Sequence, residues 1–466
     1  MVFSSFSFLI VFLPAVCLCY FLIPQRFHNA RNLVLLAFSL FFYVWGEAKG
    51  VLLMLAVITV SYGSALLIER AGERRSLRRL GLGLELLACL GALGYFKYAG
   101  FFVRTLDRLF PLALPIPEIV MPIGISFFTF QSMSYVLDVY RGKTQAQRDP
   151  LHVALYVALF PQLVAGPIVR YETIQAEITE RKERLADIYD GLQRFIMGLG
   201  KKVLLADVFG HEAEIIFAMD SGVRNAPTAW LGAVLFSLQI YYDFSGYSDM
   251  AIGLGRIFGF HFPENFNYPF VAKSATEFWR RWHITLSSWF RDYVYIPLGG
   301  NRRGLPRQIL NLFVLWGLTG LWHGASWNYV LWGLYFCVWL ILEKFFLGRR
   351  LEKLPAWLCH VYTLFFCLVS MVIFNSTELS RLGSYLSDLF HFRGDFGYAR
   401  FVLQQNVPEI VLGLAICTPL PLRLFRSGPD KPWAELLRCC CLLAVLALSA
   451  LALTGSSFHA FIYFRF

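Results

Sequence analysis

Apolar runs long enough to cross a lipid bilayer recur along the whole of this 466-residue chain. A transmembrane helix needs roughly 20 mostly apolar residues. The composition agrees, because 57% of the residues are apolar and 16% are charged, whereas a soluble domain is about half apolar and about a quarter charged. The sequence therefore predicts an all-α, multi-pass membrane protein with a single integral membrane domain over residues 1–466.

The apolar runs predict the positions of the candidate spans. Two of them do not fit a simple span. Residues 227–258 form a stretch that is too long and too polar, so it is predicted to be broken. Residues 151–169 lie between two basic loops and are predicted to be re-entrant. The candidates are 5–23, 32–47, 50–68, 81–100, 122–140, 151–169, 189–207, 227–258, 309–323, 327–346, 355–375, 408–424 and 436–454.

The net charge of +11 mainly indicates the topology, that is, which loops lie in the cytoplasm. Lys and Arg collect in cytoplasmic loops of membrane proteins, where they also meet anionic lipids. The basic residues stand in short clusters between spans, which argues against a nucleic-acid partner. Placing these clusters in the cytoplasm predicts that both termini lie outside, including an aromatic tail over residues 454–466. The first run lacks a positively charged n-region and is interpreted as a retained span.

The ten cysteines lie mostly inside apolar runs. They show no CxxC motif and no Cys/His spacing of the kind that binds a metal. The sequence therefore predicts neither a disulfide framework nor a metal cofactor.

A first polar cluster, Tyr241–Met250, lies inside an apolar stretch and contains Asp243, Ser245 and Asp249. Polar groups at membrane depth are costly and usually face a cavity or another helix. Two interpretations stay open for Asp243 and Ser245: a packed network between helices, or direct contact with a substrate or cofactor.

A second cluster, Glu277–Tyr293, interleaves charged residues with Trp, which is typical of a helix at the membrane surface. Its cations Arg280, Arg281 and Arg291, with Trp282 among them, are candidates for binding the phosphates of an acyl donor such as coenzyme A. The alternative is that these residues only anchor the chain to membrane lipids.

A third cluster surrounds His323, which ends an apolar run that begins near Ile309. Gly324, Ala325 and Ser326 follow it and predict a break or a close helix contact. A histidine in an apolar pocket stays neutral and can act as a general base. A structural, hydrogen-bonded histidine is the alternative.

Taken together, the segments Asp243–Asp249, Glu277–His283 and Trp322–Gly324 resemble the bacterial branch of the membrane-bound O-acyltransferase (MBOAT) family. The likeness extends over nearly the whole chain and includes Met121–Phe127 and Ala165–Pro167. It is closest to the members that O-acetylate alginate or peptidoglycan, and the D-alanine exporters of teichoic-acid modification are also close.

This resemblance implies a ring of transmembrane helices around a thin centre, with a cytoplasmic and an outer funnel. His323 would be the invariant histidine of the family, placed where the funnels meet, and His283 would occupy the second family position. The acyl donor would enter from the cytoplasm and the acceptor from outside.

The segment Phe458–Phe466 is similar to the aromatic C-terminal motif of envelope acylation systems, in which a tyrosine carries the acyl group. By this likeness Tyr463 would be the carrier. A phenol, with a pKa of about 10, is a better leaving group than a sugar hydroxyl, so an acyl-tyrosine is an activated ester. An aromatic anchor at the membrane surface is the alternative.

The predicted function is therefore that of an enzyme in the bacterial inner membrane. It would move acetyl groups from cytoplasmic acetyl-CoA towards a cell-envelope or extracellular polysaccharide. His323 would deprotonate the hydroxyl of Tyr463, and His283 would position or polarise the donor. The chain has no G-x-S-x-G motif, so an outer serine-esterase-like (SGNH-type) partner is predicted. The alternatives are D-alanyl transfer to teichoic acid, acylation of a membrane lipid, and a transporter without chemistry.

Overall fold

The computed structural model describes residues 2–376, 378–392, 394, 396–421, 423, 432–455 and 461. Within these ranges every regular element is a helix. The chain forms two compact units, one of Met1–Phe195 with Ser248–Pro263 and one of Ile196–Tyr247 with Glu264–Phe466. That the whole chain is one membrane domain stays a prediction.

Five helices of the described residues are long and apolar enough to cross a membrane. Shorter apolar helices cover Ser7–Leu22 and Val407–Ile416. The all-α, multi-pass membrane fold predicted from the sequence is therefore confirmed. The five long helices are Gly50–Arg70, Arg75–Leu109, Trp327–Leu351, Ala356–Asn375 and Trp433–Gly455.

The first unit packs around a cluster of phenylalanines, in which the ring of Phe160 lies 5.3 Å from Phe12 and 5.9 Å from Phe42. A buried ion pair joins Arg31 to Glu183 at 2.6 Å. Its helices are Ser7–Phe12, Leu13–Leu22, His28–Gly46, Gly50–Arg70, Arg75–Leu93, Gly94–Tyr98, Ala99–Leu109, Ile125–Tyr140, Pro150–Ala158, Phe160–Leu163 and Tyr171–Thr179. Two further helices, Leu185–Gly200 and Ala226–Ile257, have residues in both units.

The segment 151–169 is not one straight helix. Asp149 caps a helix that begins at Pro150 by accepting a hydrogen bond from the amide of Leu151 at 2.9 Å. The helix ends at Ala158, because the next residue, Leu159, has a ψ of 113° that is not helical, and only the single turn Phe160–Leu163 follows. The interruption agrees with a segment that is not a full span, while its being re-entrant stays a prediction.

The prediction of a broken helix at 227–258 is wrong, because Ala226–Ile257 is one continuous helix of 32 residues. Its two carboxylates are neutralised by side chains of other helices. In the second unit Lys202 lies 2.7 Å from Asp243, and in the first unit Arg194 lies 2.9 Å from Asp249. Because side chains of other helices compensate both charges, the backbone of this helix does not have to unwind around them.

The second unit holds the second and third polar clusters of the sequence. Its core is rich in Trp and Phe, and Trp279 contacts both Trp316 and Phe336 edge-on. Its helices are Lys201–Ala206, Asp207–Ala218, Pro269–Val271, Ala275–Arg281, Ile284–Phe290, Arg291–Tyr295, Leu305–His323, Trp327–Leu342, Glu343–Leu347, Gly348–Leu351, Ala356–Asn375, Leu379–Asp388, Gly397–Gln405, Val407–Ile416 and Pro432–Gly455.

Candidate active site

His323 is the last residue of the helix that begins at Leu305. A three-residue connection leads to the next helix, which begins at Trp327. The two helices touch backbone to backbone at glycines: a Cβ on Gly320 would lie 2.2 Å from the carbonyl oxygen of Tyr329, and a Cβ on Gly333 would lie 2.2 Å from that of Trp316. No residue with a side chain fits at either glycine, so the hairpin fixes the backbone position of His323.

The imidazole of His323 lies in an aromatic pocket and is only 5% exposed. Its ring centroid is 4.9 Å from Trp332 and 5.4 Å from Phe374, both edge-on. Asn328 donates a hydrogen bond to the carbonyl oxygen of Phe374 at 2.8 Å, which fixes one wall of this pocket. The break after His323 and the apolar surroundings agree with the sequence analysis.

The predicted surface helix at Glu277–Tyr293 is instead broken at His283 into Ala275–Arg281 and a second helical stretch, Ile284–Phe290, which continues directly as Arg291–Tyr295. The first, Ala275–Arg281, is capped by Ser274, which accepts a hydrogen bond from the amide of Glu277 at 3.0 Å. His283 then adopts a left-handed conformation with φ 43°, and a new helix begins at Ile284. A non-glycine residue rarely adopts this conformation unless its surroundings hold it there.

Asn265 supplies those surroundings. Its backbone carbonyl accepts a hydrogen bond from the amide of Ile284 at 3.0 Å. Its side-chain Oδ1 lies 3.1 Å from Nδ1 of His283 and 2.8 Å from the hydroxyl of Thr285. Phe244, from the long helix Ala226–Ile257, packs edge-on against the imidazole at 4.6 Å. Asn265 was not predicted from the sequence, because no pattern near residue 265 marks a contact with residue 283.

The two histidines predicted to be catalytic lie close together. Their ring centroids are 6.5 Å apart, and both side chains are buried. Burial, and then the neighbouring His323, hold the pKa of His283 well below its usual value. A neutral, buried imidazole can accept a proton from a hydroxyl near neutral pH. Such a pair can therefore support general-base chemistry at one centre.

The three candidate phosphate-binding arginines differ in their surroundings. Arg281 is held by an ion pair with Glu277 at 2.9 Å, and Arg291 is paired with the adjacent Asp292 at 2.7 Å. Arg280 is exposed and makes no hydrogen bond or ion pair within the described part of the chain. Trp282 is buried against Phe278, with its ring 5.4 Å away, so it belongs to the aromatic core.

Asp243 belongs to a buried charge cluster with Lys202, which lies 2.7 Å from Asp243 and 2.6 Å from Asp207. These contacts favour the interpretation of a packed network for Asp243. Lys202 could have been noticed in the sequence as a cation in an apolar run, since such residues rarely stand alone in a membrane protein. The hydroxyl of Ser245 is buried and has no hydrogen-bond partner among the described residues.

Tyr463 lies outside the described residues. Phe461, two positions before Tyr463, lies within the described residues, and its side chain is buried. Its ring lies 4.7 Å from Tyr247 and 6.1 Å from Phe244, the residue that also contacts His283. Phe461 therefore belongs to the same aromatic cluster as one of the two histidines. Among the described residues, no group of three or more His, Cys, Asp or Glu side chains could hold a metal ion.

The chain is similar to known acyltransferases. Residues 128–375 match the sequence profile of MBOAT, the membrane-bound O-acyltransferase family, a range that contains both histidines. A probable alginate O-acetylase of Pseudomonas putida is 38% identical over 100% of both chains. A peptidoglycan O-acetyltransferase of Helicobacter pylori is 31% identical over 100% of this chain and 98% of the relative.

A more distant match is a teichoic acid D-alanyltransferase of Bacillus subtilis, which is 32% identical over 52% of this chain and 64% of the relative. The acetylases thus match this chain from end to end, whereas the D-alanyltransferase matches about half of it.

Proposed function

Because this chain belongs to the membrane-bound O-acyltransferase family, we propose that it moves acetyl groups from cytoplasmic acetyl-CoA across the membrane for O-acetylation of a cell-envelope or extracellular polysaccharide. The end-to-end similarity to alginate and peptidoglycan O-acetylases carries this proposal. Family membership makes the chain an O-acyltransferase and excludes a transporter without chemistry. The half-length match to the D-alanyltransferase gives weaker support to D-alanyl transfer.

In this proposal the pair of histidines, His283 and His323, forms the catalytic centre. The proton of the attacking hydroxyl passes to this pair while the hydroxyl oxygen attacks the thioester carbonyl. The short distance between the rings and the aromatic walls around them support the assignment.

The attacking hydroxyl in this proposal is that of Tyr463, which passes the acetyl group to an outer serine-esterase-like partner and then to the polysaccharide. The position of Phe461 supports this relay, since two residues of extended chain span at most about 7 Å. The predicted location is the bacterial inner membrane, which rests on the likeness to bacterial relatives. The predicted placement of both termini outside rests on the distribution of Lys and Arg.

The proposal is tested with purified full-length protein in lipid nanodiscs and radiolabelled acetyl-CoA. Label should appear on the wild-type chain and should be absent from Tyr463→Phe. Label on Tyr463→Phe would contradict the tyrosine relay but would still support acyl transfer from acetyl-CoA. No consumption of acetyl-CoA, even with the natural partner and polysaccharide supplied, would show that the donor is wrong.

Phe461→Ala should reduce labelling of the chain about tenfold or more, because burial of a phenylalanine contributes about 1.5–3 kcal/mol to holding the tail. The KM for acetyl-CoA should not change, since Phe461 holds the acceptor tail in place and has no role in donor binding in this proposal. The measurement is the initial rate of labelling. Phe401→Ala, at a phenylalanine that is 55% exposed, is the control and should label normally. Equal rates for both variants would contradict the docking of the tail through Phe461.

Arg280→Gln should raise the KM for acetyl-CoA about tenfold with little change in kcat. Arg280 has no carboxylate partner among the described residues, and a charged hydrogen bond to phosphate contributes about 1.5–3 kcal/mol. The measurement is the release of free thiol at varied acetyl-CoA. Arg291→Gln is the matched control, since Arg291 is paired with Asp292. If the KM is the same in both variants and in wild type, Arg280 does not bind the donor.

A further inference from the structure

The hydrogen bonds of Asn265 determine which nitrogen of His283 carries a proton. Oδ1 of Asn265 lies 3.1 Å from Nδ1 of His283 and 3.4 Å from the backbone amide of Thr285. A backbone N–H can only donate, so the Asn265 atom that faces Thr285 is the amide oxygen and not the amide nitrogen. The same oxygen faces Nδ1 of His283, so Nδ1 must be the donor of that bond.

A neutral imidazole carries its proton on one nitrogen and a lone pair on the other. With the proton on Nδ1, the lone pair of His283 is on Nε2. This Nε2 is buried and has no hydrogen-bond partner among the described residues. His283 therefore presents a hydrogen-bond acceptor, and it has no N–H at Nε2 with which to polarise a thioester carbonyl.

We infer that Asn265 is a positioning residue of the acyl transfer, which holds His283 in the tautomer whose Nε2 accepts the proton of the attacking hydroxyl. This inference rests on the proposed function. In the step, the hydroxyl oxygen forms a bond to the acyl carbon and the carbon–sulfur bond breaks. The proton moves from the hydroxyl to Nε2 and then to the departing sulfur, which leaves as the free thiol. His283 therefore does not polarise the donor, which changes the role predicted for it from the sequence.

The left-handed backbone of His283 agrees with this role. The residue is held in a costly conformation by a neighbour that bonds to both its side chain and the following amide. Strain of this kind clusters at functional sites, where it fixes geometry before the substrate arrives.

The first test compares two replacements of Asn265 in permeable membrane fragments that contain the full-length chain and its natural partners. Asn265→Asp keeps an acceptor for Nδ1 but adds a negative charge, which favours the imidazolium form of His283. The acidic limb of kcat against pH should therefore move to higher pH by on the order of one unit or more, with activity retained at alkaline pH. Asn265→Leu should lower kcat about 10- to 100-fold with an unchanged KM for acetyl-CoA.

The matched control is Asn311→Asp. Asn311 is also buried, and it donates to the backbone carbonyls of Leu298 and Gly300. Its replacement should leave the position of the acidic limb unchanged. If the limb does not move in Asn265→Asp, or moves equally in Asn311→Asp, Asn265 is only a packing residue and the inference fails.

A second test does not depend on turnover. The chain is labelled with ¹⁵N-histidine in nanodiscs, and the signals of His283 are assigned by their loss in His283→Gln. The spectrum should show a protonated Nδ1 and an unprotonated Nε2, and this pattern should be lost in Asn265→Leu. A protonated Nε2 would overturn the inference even if the enzyme transfers acetyl groups, whereas failure to consume acetyl-CoA would contradict the proposed function and leave the tautomer result standing.

Discussion

His323→Ala should lower the rate of acyl transfer by a factor of about 10³ or more, because a histidine at the reacting centre contributes about 10²–10⁴ by acid–base catalysis alone. The loss should appear in kcat, with a similar KM for acetyl-CoA, since the imidazole is enclosed by Trp332 and Phe374 and contributes little to donor binding. The measurement is the rate at which radiolabel moves from acetyl-CoA to the chain and to the polysaccharide.

His360→Ala is the control for this experiment. His360 lies in the same unit and has a hydrogen bond between its Nδ1 and the carbonyl oxygen of Ala272 at 3.1 Å, which is a structural role. Both variants should reach wild-type amounts in the membrane. Wild-type turnover in His323→Ala would remove this residue from the catalytic centre and leave His283 as the only candidate.

Lys202→Met should destabilise the protein by about 3–5 kcal/mol. The substitution removes the buried cation that the carboxylates of Asp243 and Asp207 share. We expect a lower midpoint of thermal unfolding in nanodiscs and less protein in the membrane. Lys202→Met combined with Asp243→Asn should recover much of the loss, since the amide has no charge to leave unpaired.

Lys201→Met is the matched control, because Lys201 is the sequence neighbour and is partly exposed. It should change the unfolding midpoint much less than Lys202→Met. Equal midpoints for the two lysine variants would mean that the buried cluster does not stabilise the fold, and that Asp243 should be reconsidered as a substrate contact.

Much of this structure could be predicted from the sequence, because membrane helices are encoded locally. The apolar runs predicted the helices Gly50–Arg70 and Ala356–Asn375 to within a few residues. The apolar run that ends at His323 also predicted both the break and the buried histidine. In each case the deciding residues are neighbours along the chain.

The predictions that were wrong or missing concern contacts between residues that are far apart in sequence. The continuous helix Ala226–Ile257 was predicted to break because nothing in its own sequence shows that Lys202 and Arg194 neutralise its carboxylates. The break at His283 was missed for the same reason, since its left-handed backbone depends on Asn265. Such pairings are set by tertiary packing, which a single sequence does not display.

The glycine contacts between the helices Leu305–His323 and Trp327–Leu342 have a consequence for the order of folding. Each contact joins residues that are close in sequence, so the hairpin closes a short loop at little cost in chain entropy. Small residues also drive such pairing inside a bilayer without help from other helices. We therefore expect the wall that carries His323 to assemble early during biogenesis, before the helices that follow it in the chain have left the ribosome.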